Sequence, residues 1–118
     1  MIGLMKEKVR SKYYSKKVLI DGIKFDSKKE GEYYKKLKIL EEKGIIKDLE
    51  LQKEYILQDK FKLNNKTIRK ITYRADFSYI SVKDDILHVI DVKGFRTEIY
   101  KLKKKLFEYK YGIEIEEI

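Results

Sequence analysis

The chain has 118 residues, the size of a single domain with one modest core. Its 29 Lys and Arg residues against 20 Asp and Glu residues give a formal net charge of +9, while 42% of the residues are hydrophobic. The length excludes a multi-domain protein. The high hydrophobic content excludes a disordered charged tail and, with the positive charge, predicts a folded basic domain. A polyanion is the natural partner of such a domain.

Cysteine and histidine contents restrict the chemistry further. The chain has no cysteine, and His88 is its only histidine. These counts exclude disulfide frameworks, cysteine zinc sites, thiol catalysis and mechanisms that need two histidines. The sequence shows neither the apolar region of a signal peptide nor the ~20 apolar residues of a membrane span. We therefore expect a soluble cytoplasmic protein that works with carboxylates, lysines, tyrosines and hydroxyls.

Residues 1–17 are predicted to form a flexible basic arm. Lysines are interleaved with tyrosines in residues 12–17, without helical or strand periodicity. The arm is either a phosphate clamp, with Lys16 and Lys17 as contacts, or a solvated tail. Residues 18–118 are then the single folded domain.

A hairpin and a helix are predicted next. Two short apolar runs flank Asp21-Gly22, a pair typical of a two-residue hairpin turn. Ser27 and Glu30 have the spacing of a capping box, and apolar residues then recur at helical spacing until Gly44. We expect the helix to cover residues 28–43.

The middle of the chain is predicted to be extended. Residues 45–63 fit two strands, followed by a turn at Asn64-Asn65. Residues 67–82 are rich in β-branched and aromatic side chains, and residues 83–85 form a turn. Residues 86–92 are almost continuously apolar, as expected for the central strand of a sheet covered on both faces.

A second helix and a last strand complete the predicted fold. Thr97 is the predicted N-cap and Gly112 the predicted end of the helix, with Tyr100, Phe107 and Tyr109 in the core. Residues 113–116 alternate like an edge strand, and the strand-helix-strand connection predicts that this strand is parallel to the central one. The fold class is α/β, with a mixed β-sheet flanked by helices.

Two aspartates are predicted to meet at one end of this sheet. If residues 74–82 and 86–92 form a hairpin, Asp76 lies within one residue of being opposite Asp91. Neighbouring carboxylates repel, and their hard oxygens favour Mg²⁺ or Mn²⁺. Asp91 and Lys93 leave the same face of their strand while Val92 leaves the other. A lysine in that position would stabilise developing negative charge on a phosphate.

Each of these residues also has a simpler explanation. Glu30 could complete the capping box with Ser27, although its spacing places it on the sheet-facing stripe of the helix. Asp76 and Asp91 could be strand-end aspartates that accept backbone hydrogen bonds, and Lys93 could be a surface lysine. The combination indicates a site, whereas the single residues do not.

Three sequence blocks together resemble the PD-(D/E)xK nuclease superfamily, which includes restriction endonucleases, Holliday-junction resolvases and transposon end-cleaving nucleases. The blocks are residues 25–30 (FDSKKE), 73–77 (YRADF) and 91–94 (DVKG). The resemblance is strongest to small phage-encoded endonucleases, and it covers most of the chain. Ala75 stands where the family motif has proline. The resemblance implies a restriction-endonuclease-like core and, for a phage protein, the host cytoplasm.

Roles for individual residues follow from the resemblance. It implies that Glu30, Asp76, Asp91 and Lys93 are catalytic. It also implies that Glu30, Asp76, Asp91 and the backbone carbonyl of Val92 hold Mg²⁺, for which Mn²⁺ would substitute. The expected activity is metal-dependent hydrolysis of phosphodiester bonds in DNA.

Branched DNA is the expected substrate, because the chain is small and basic and resembles phage resolvases, and two symmetric cuts would require a homodimer. The alternatives are a sequence-specific or partner-activated nuclease, or a non-catalytic basic nucleic-acid-binding module in which Asp76, Asp91 and Lys93 form only a buried ion network. The residues expected to contact nucleic acid are Lys16, Lys17, Arg96, Lys101, Lys104 and Lys105.

Overall fold

The computed structural model describes residues 17–92 and 96–118. Within these ranges the protein is an α/β domain with a mixed sheet and two helices, as predicted. The strands are β1 Val18–Ile20, β2 Ile23–Phe25, β3 Ile46–Leu51, β4 Glu54–Gln58, β5 Phe61–Leu63, β6 Lys66–Ile68, β7 Ile71–Arg74, β8 Phe77–Ser81, β9 Ile86–Asp91 and β10 Ile115–Glu117. The helices are α1 Lys28–Glu42 and α2 Glu98–Tyr111. Neither helix is long and apolar enough to cross a membrane.

The central sheet has four strands in the order β10-β9-β8-β3. β8 is antiparallel to both β3 and β9, whereas β10 is parallel to β9. This confirms that the strand ending at Asp91 is interior and that the last strand is parallel to it. The parallel pairing is possible because α2 returns the chain to the same end of the sheet.

Two apolar clusters lie on the two faces of the sheet, and β9 contributes to both because its side chains alternate. Ile90 and Phe77 belong to the cluster that includes Tyr34 and Leu37 of α1. Val89 belongs to the cluster that includes Tyr100 and Phe107 of α2. The strand is therefore covered on both faces, which explains its continuous apolar sequence.

The first hairpin and α1 follow the predicted signals. Asp21 and Gly22 have φ values of 53° and 75°, and positive φ at both positions is what a type I′ turn requires. The Ser27 hydroxyl accepts the N–H of Glu30 at 3.1 Å and caps α1. Gly44, with φ of 73°, follows the last turn of the helix.

The prediction for residues 45–82 is wrong in its strand count. Three strands, β3 to β5, replace the two predicted over residues 45–63, and the predicted strand 74–82 is divided between β7 and β8. β7 and β8 are separated by Ala75 and Asp76, and β3 and β4 by Gln52 and Lys53. At this point Gln52 N–H donates to the Asp76 carbonyl and Ala75 N–H donates to the Lys53 carbonyl. β3 and β8 belong to the central sheet, whereas β4 and β7 pair separately. Apolar periodicity identifies extended backbone but not the point where it leaves a sheet.

α2 begins and ends as predicted, with Thr97 as N-cap and Gly112 at φ of 65°. The last strand is displaced to Ile115–Glu117. Tyr100 and Phe107 are buried, but the prediction for Tyr109 is wrong, because this residue is 91% exposed. Tyr109 is two residues beyond Phe107, and this spacing places it on the opposite side of a helix.

Gly31 is the contact point between α1 and the first hairpin. A Cβ atom at this position would lie 2.7 Å from Val18 Cγ2 and 2.8 Å from Ile20 Cδ1. We expect Gly31→Ala to lower the free energy of unfolding by about 1 kcal/mol, because overpacking outweighs the better helix propensity of alanine. Urea unfolding would measure this loss. Lys35→Ala on the exposed side of α1 is the control, and Val18→Ala should restore part of the stability. A Gly31→Ala variant more stable than the wild type would contradict the prediction.

Candidate active site

Asp76 and Asp91 lie side by side at one end of β8 and β9. The antiparallel register pairs Phe77 with Ile90, so Asp76 and Asp91 occupy the next facing positions. Asp76 Oδ2 accepts the N–H of Val92 at 2.8 Å, which connects the two chain segments at this point. Asp76 Oδ1 accepts from Gln52 Nε2 at 3.3 Å. The predicted proximity of the two aspartates is confirmed.

Asp91 is buried, with only 1% of its surface exposed. The hydroxyl of Tyr73 donates a 2.5 Å hydrogen bond to Asp91 Oδ2. Burial, and then the hydrogen bond to Asp91, raise the pKa of the Tyr73 hydroxyl well above its usual range. The hydroxyl therefore stays protonated and orients the Asp91 carboxylate. A buried carboxylate requires such partners, because removal from water is costly.

Glu117 and Arg96 border the same site. Glu117 faces Asp91 in the parallel β10–β9 register. Arg96 Nε lies 3.0 Å from Glu117 Oε2, and the Tyr100 hydroxyl donates to the same oxygen at 2.7 Å. The hydrogen bonds from Arg96 and Tyr100 lower the pKa of Glu117. One guanidinium and two hydroxyls thus stabilise the carboxylates of Asp91 and Glu117.

A basic groove opens beside this cluster. Its volume is about 490 Å³, and Tyr100 and Glu117 contribute to its wall. Four residues predicted to contact nucleic acid also line it, namely Arg96, Lys101, Lys104 and Lys105. Two of these lysines form ion pairs within α2: Lys101 with Glu98 at 3.2 Å and Lys104 with Glu108 at 2.8 Å. The structure therefore brings four predicted cations into one groove next to the buried Asp91.

Glu30 occupies a different position. It is 7% exposed and lies on the inner side of α1, which packs on the sheet face of Phe77 and Ile90. Asp91 alternates with Ile90 and points to the opposite face, where Tyr73 lies. Among residues 17–92 and 96–118, no three acidic or histidine side chains form a group that could hold a metal ion. The structure does not gather Glu30 into such a group with the two aspartates.

The remaining predicted site residues have different outcomes. Lys16 and Lys93 lie outside the described residues. Lys17 is exposed immediately before β1. Val92 packs with the cluster on the α1 side, opposite Asp91, which confirms the predicted alternation.

Sequence reasoning missed Tyr73 and Glu117 as parts of the site and assigned Tyr100 only to the core. Tyr73 had one available signal, its position in the same block as Asp76. The contact of Glu117 with Arg96 and its position beside Asp91 depend on the β10–β9 register. A sequence without a known register offers no signal for such a contact.

The chemistry of the donors fits Mg²⁺. Carboxylate oxygens from Asp76 and Asp91 and the carbonyl oxygen of Val92 are hard ligands, the type that Mg²⁺ and Mn²⁺ prefer. Mg²⁺ sites commonly use one or two carboxylates and complete the coordination with water and substrate phosphate. Asp76 and Asp91 are two carboxylates at facing positions.

Residues 10–116 match the family model described as "Protein of unknown function (DUF1064)", so the chain belongs to this family. No curated protein matches the chain. No solved structure matches it either. The family description names no activity, so the functional argument depends on the site itself.

We expect Tyr73→Phe to lower the free energy of unfolding by about 1.5 to 3 kcal/mol at neutral pH. The variant keeps the ring but removes a hydrogen bond to a buried carboxylate. Chemical unfolding monitored by circular dichroism would measure the loss. Tyr109→Phe removes a hydroxyl from an exposed residue and should change stability by less than about 0.5 kcal/mol. Equal stability of the two variants would show that the Tyr73 hydrogen bond contributes nothing.

The raised pKa of Tyr73 also predicts a pH dependence. The unfolded chain releases the tyrosine proton near pH 10, whereas the folded protein retains it. The stabilisation is therefore complete below pH 10 and decreases as the pH rises above 10, by about 1.4 kcal/mol per pH unit for this group. Unfolding curves between pH 9 and 11 should show a steeper decrease for the wild type than for Tyr73→Phe. Parallel decreases would contradict the assignment.

Proposed function

We propose that this protein is a metal-dependent endodeoxyribonuclease of the PD-(D/E)xK type that hydrolyses phosphodiester bonds in branched DNA, as Holliday-junction resolvases do. The observation that carries the proposal is the pair Asp76 and Asp91 at facing strand ends, with the basic groove of α2 beside it. Acidic groups that hold a cation, next to basic groups that hold phosphates, are the two parts a phosphodiesterase needs.

Mg²⁺ bound by Asp76, Asp91 and the Val92 carbonyl would polarise the scissile phosphate and lower the pKa of an attacking water. In this proposal the Tyr73 hydroxyl holds Asp91 in position. Lys93, two residues after Asp91, neutralises the negative charge that develops on the phosphate. Glu30 is the third acidic residue of the motif, and its contribution to the reaction would require α1 to present it to the same site.

The basic groove would position the DNA backbone. A phosphate bound in the groove would replace the carboxylates that pair with Lys101 and Lys104. Lys105 forms no ion pair among the described residues, so a phosphate there would displace no carboxylate. Each phosphate contact contributes about 0.9 to the slope of log affinity against log salt concentration on duplex DNA. Strong salt dependence is therefore part of the proposal.

The preference for branched DNA rests on the small size, the charge of +9 and the resemblance to phage resolvases. A four-way junction presents two symmetric strands, so cutting both requires two active sites. A homodimer supplies them with its two-fold symmetry. The proposal therefore includes a dimer on the junction.

Cleavage of labelled four-way junction and matched linear duplex tests the proposal. The wild type should cut the junction with Mg²⁺ or Mn²⁺ and not with chelator. Asp91→Asn keeps the size of the side chain but removes its charge, and Lys93→Ala removes the cation, so each should lower the rate by about 100-fold or more. Asp85→Asn is the matched control, because Asp85 is an exposed residue at the other end of β8 and β9. Full activity of Asp91→Asn would refute the site.

The absence of a three-ligand group among the described residues favours one alternative, a non-catalytic basic module that binds nucleic acid by charge. In that module Asp76 and Asp91 would serve only the structure. The thermal midpoint separates the two functions. A metal site would raise the midpoint when Mg²⁺ or Mn²⁺ is added, and Asp91→Asn would abolish the increase. The basic module would bind DNA with no metal-dependent shift.

A further inference from the structure

The β5–β6 ribbon, which comprises residues 61–68, is the most solvated part of the described fold. β5 and β6 pair only with each other, joined by a turn at Asn64 and Asn65, whose φ values are 50° and 63°. Every residue from 58 to 71 is exposed. A two-stranded ribbon without a covering layer is marginally stable in water, so packing within the domain does not explain this element.

One face of the ribbon is apolar. The register pairs Phe61 with Ile68 and Leu63 with Lys66, and alternation places all four side chains on the same face. Phe61 is 43%, Leu63 58% and Ile68 36% exposed. Three large apolar side chains grouped on an exposed face mark a contact surface.

The ribbon and its flanks are also strongly basic. Residues 59–71 contain five cations and a single acidic residue, Asp59. The cations are Lys60, Lys62, Lys66, Arg69 and Lys70. None of them forms an ion pair within the part of the chain that the structure describes. The lysines of the α2 groove differ in this respect, because two of them are already paired.

The ribbon is connected directly to the candidate site. Its strands continue into β4 and β7, and β7 contains Tyr73, whose hydroxyl holds Asp91. Lys110 Nζ and the Tyr111 hydroxyl of α2 donate to the Ile56 carbonyl of β4 and fix the base of the arm. Asn65 lies eight residues before Tyr73, so the tip reaches at most about 26 Å from Tyr73 at about 3.3 Å per residue.

We propose that the β5–β6 ribbon is a duplex-DNA-binding arm that enters a groove within about 8 base pairs of the cleaved phosphate, at 3.4 Å per base pair. A two-stranded ribbon fits the major groove, which is about 12 Å wide. The cations contact phosphates on either side, and the apolar face lies against base edges, where the thymine methyl group accepts apolar contacts in the major groove. The charge favours a polyanion over an uncharged or basic partner, and among polyanions the proposed substrate selects DNA. The choice of DNA as substrate rests on the proposed function.

Equilibrium binding to linear duplex DNA with chelator tests the arm without any cleavage. Lys62→Ala with Arg69→Ala should weaken binding about 10-fold or more and reduce the magnitude of the salt slope by about 1.8, the value for two phosphate contacts. Lys43→Ala with Lys83→Ala removes the same charge from exposed positions outside the ribbon and is the matched control. Equal effects of the two pairs would overturn the proposal.

The apolar face has its own test. Phe61→Ser with Leu63→Ser should weaken duplex binding while the salt slope stays unchanged. Leu19→Ser, at an exposed apolar residue of β1, should leave binding as in the wild type. A change of oligomeric state in sedimentation, with unchanged DNA affinity, would assign the face to a second copy of the chain and overturn the proposal.

Duplex RNA separates groove entry from simple charge attraction. The major groove of A-form RNA is too narrow for side chains to read, so the loss in the ribbon variants should be much smaller on RNA than on DNA. An equal loss on both duplexes would overturn groove entry. If the wild type cuts no DNA but the ribbon variants still bind DNA more weakly than the wild type, the proposed nuclease is refuted and the DNA-binding arm is supported. Cleavage by the wild type with ribbon-independent binding would refute only the arm.

Discussion

Burial of the Asp91 carboxylate is the constraint on which the arrangement around the candidate site depends. A charged group with 1% of its surface exposed must have its water replaced by hydrogen bonds and nearby positive charge. Tyr73 supplies a hydroxyl from β7, Arg96 forms an ion pair with the neighbouring Glu117, and the Tyr100 hydroxyl donates to the same carboxylate. One carboxylate therefore makes the positions of β7, β10 and the start of α2 interdependent. A residue that is costly to bury and is nevertheless buried is typical of a functional site.

The change of sheet at residues 52–53 and 75–76 has two consequences. It ends the central sheet at Asp76, so that this carboxylate turns back to accept the Val92 N–H. It also directs β4 and β7 away from the sheet, where they continue into the β5–β6 ribbon. The separate β4–β7 pair, and with it the base of the arm, depends on this irregularity. The facing positions of Asp76 and Asp91 follow from the regular β8–β9 register.

Charge in this protein is divided between paired and unpaired cations. Arg96, Lys101 and Lys104 beside the acidic cluster have carboxylate partners within the domain. The five cations of residues 59–71 have no ion-pair partner among the described residues. Such exposed cations contribute little to stability, so the fold does not explain why this segment holds five of them.

Local signals in the sequence determined the helices and turns. Asp21-Gly22, the Ser27 cap, the Asn64-Asn65 turn, Thr97 and Gly112 act within a few residues, and their structural outcomes depend on backbone conformations that those residues favour. The almost continuously apolar sequence of residues 86–92 likewise predicted an interior strand, and a hairpin with residues 74–82 predicted the meeting of Asp76 with Asp91.

Tertiary structure alone decided the partners of these elements. The division of residues 45–82 into three strand pairs depends on register, as do the contacts of Tyr73 with Asp91 and of Glu117 with Arg96. Layer packing decides that α1, which carries Glu30, covers the sheet face of Phe77 and Ile90. The helical spacing of the apolar residues predicted that Glu30 lies on the buried side of the helix, and it does. The same spacing does not specify which face of the sheet the helix covers. Such contacts join residues far apart in the chain, and a local pattern cannot specify them.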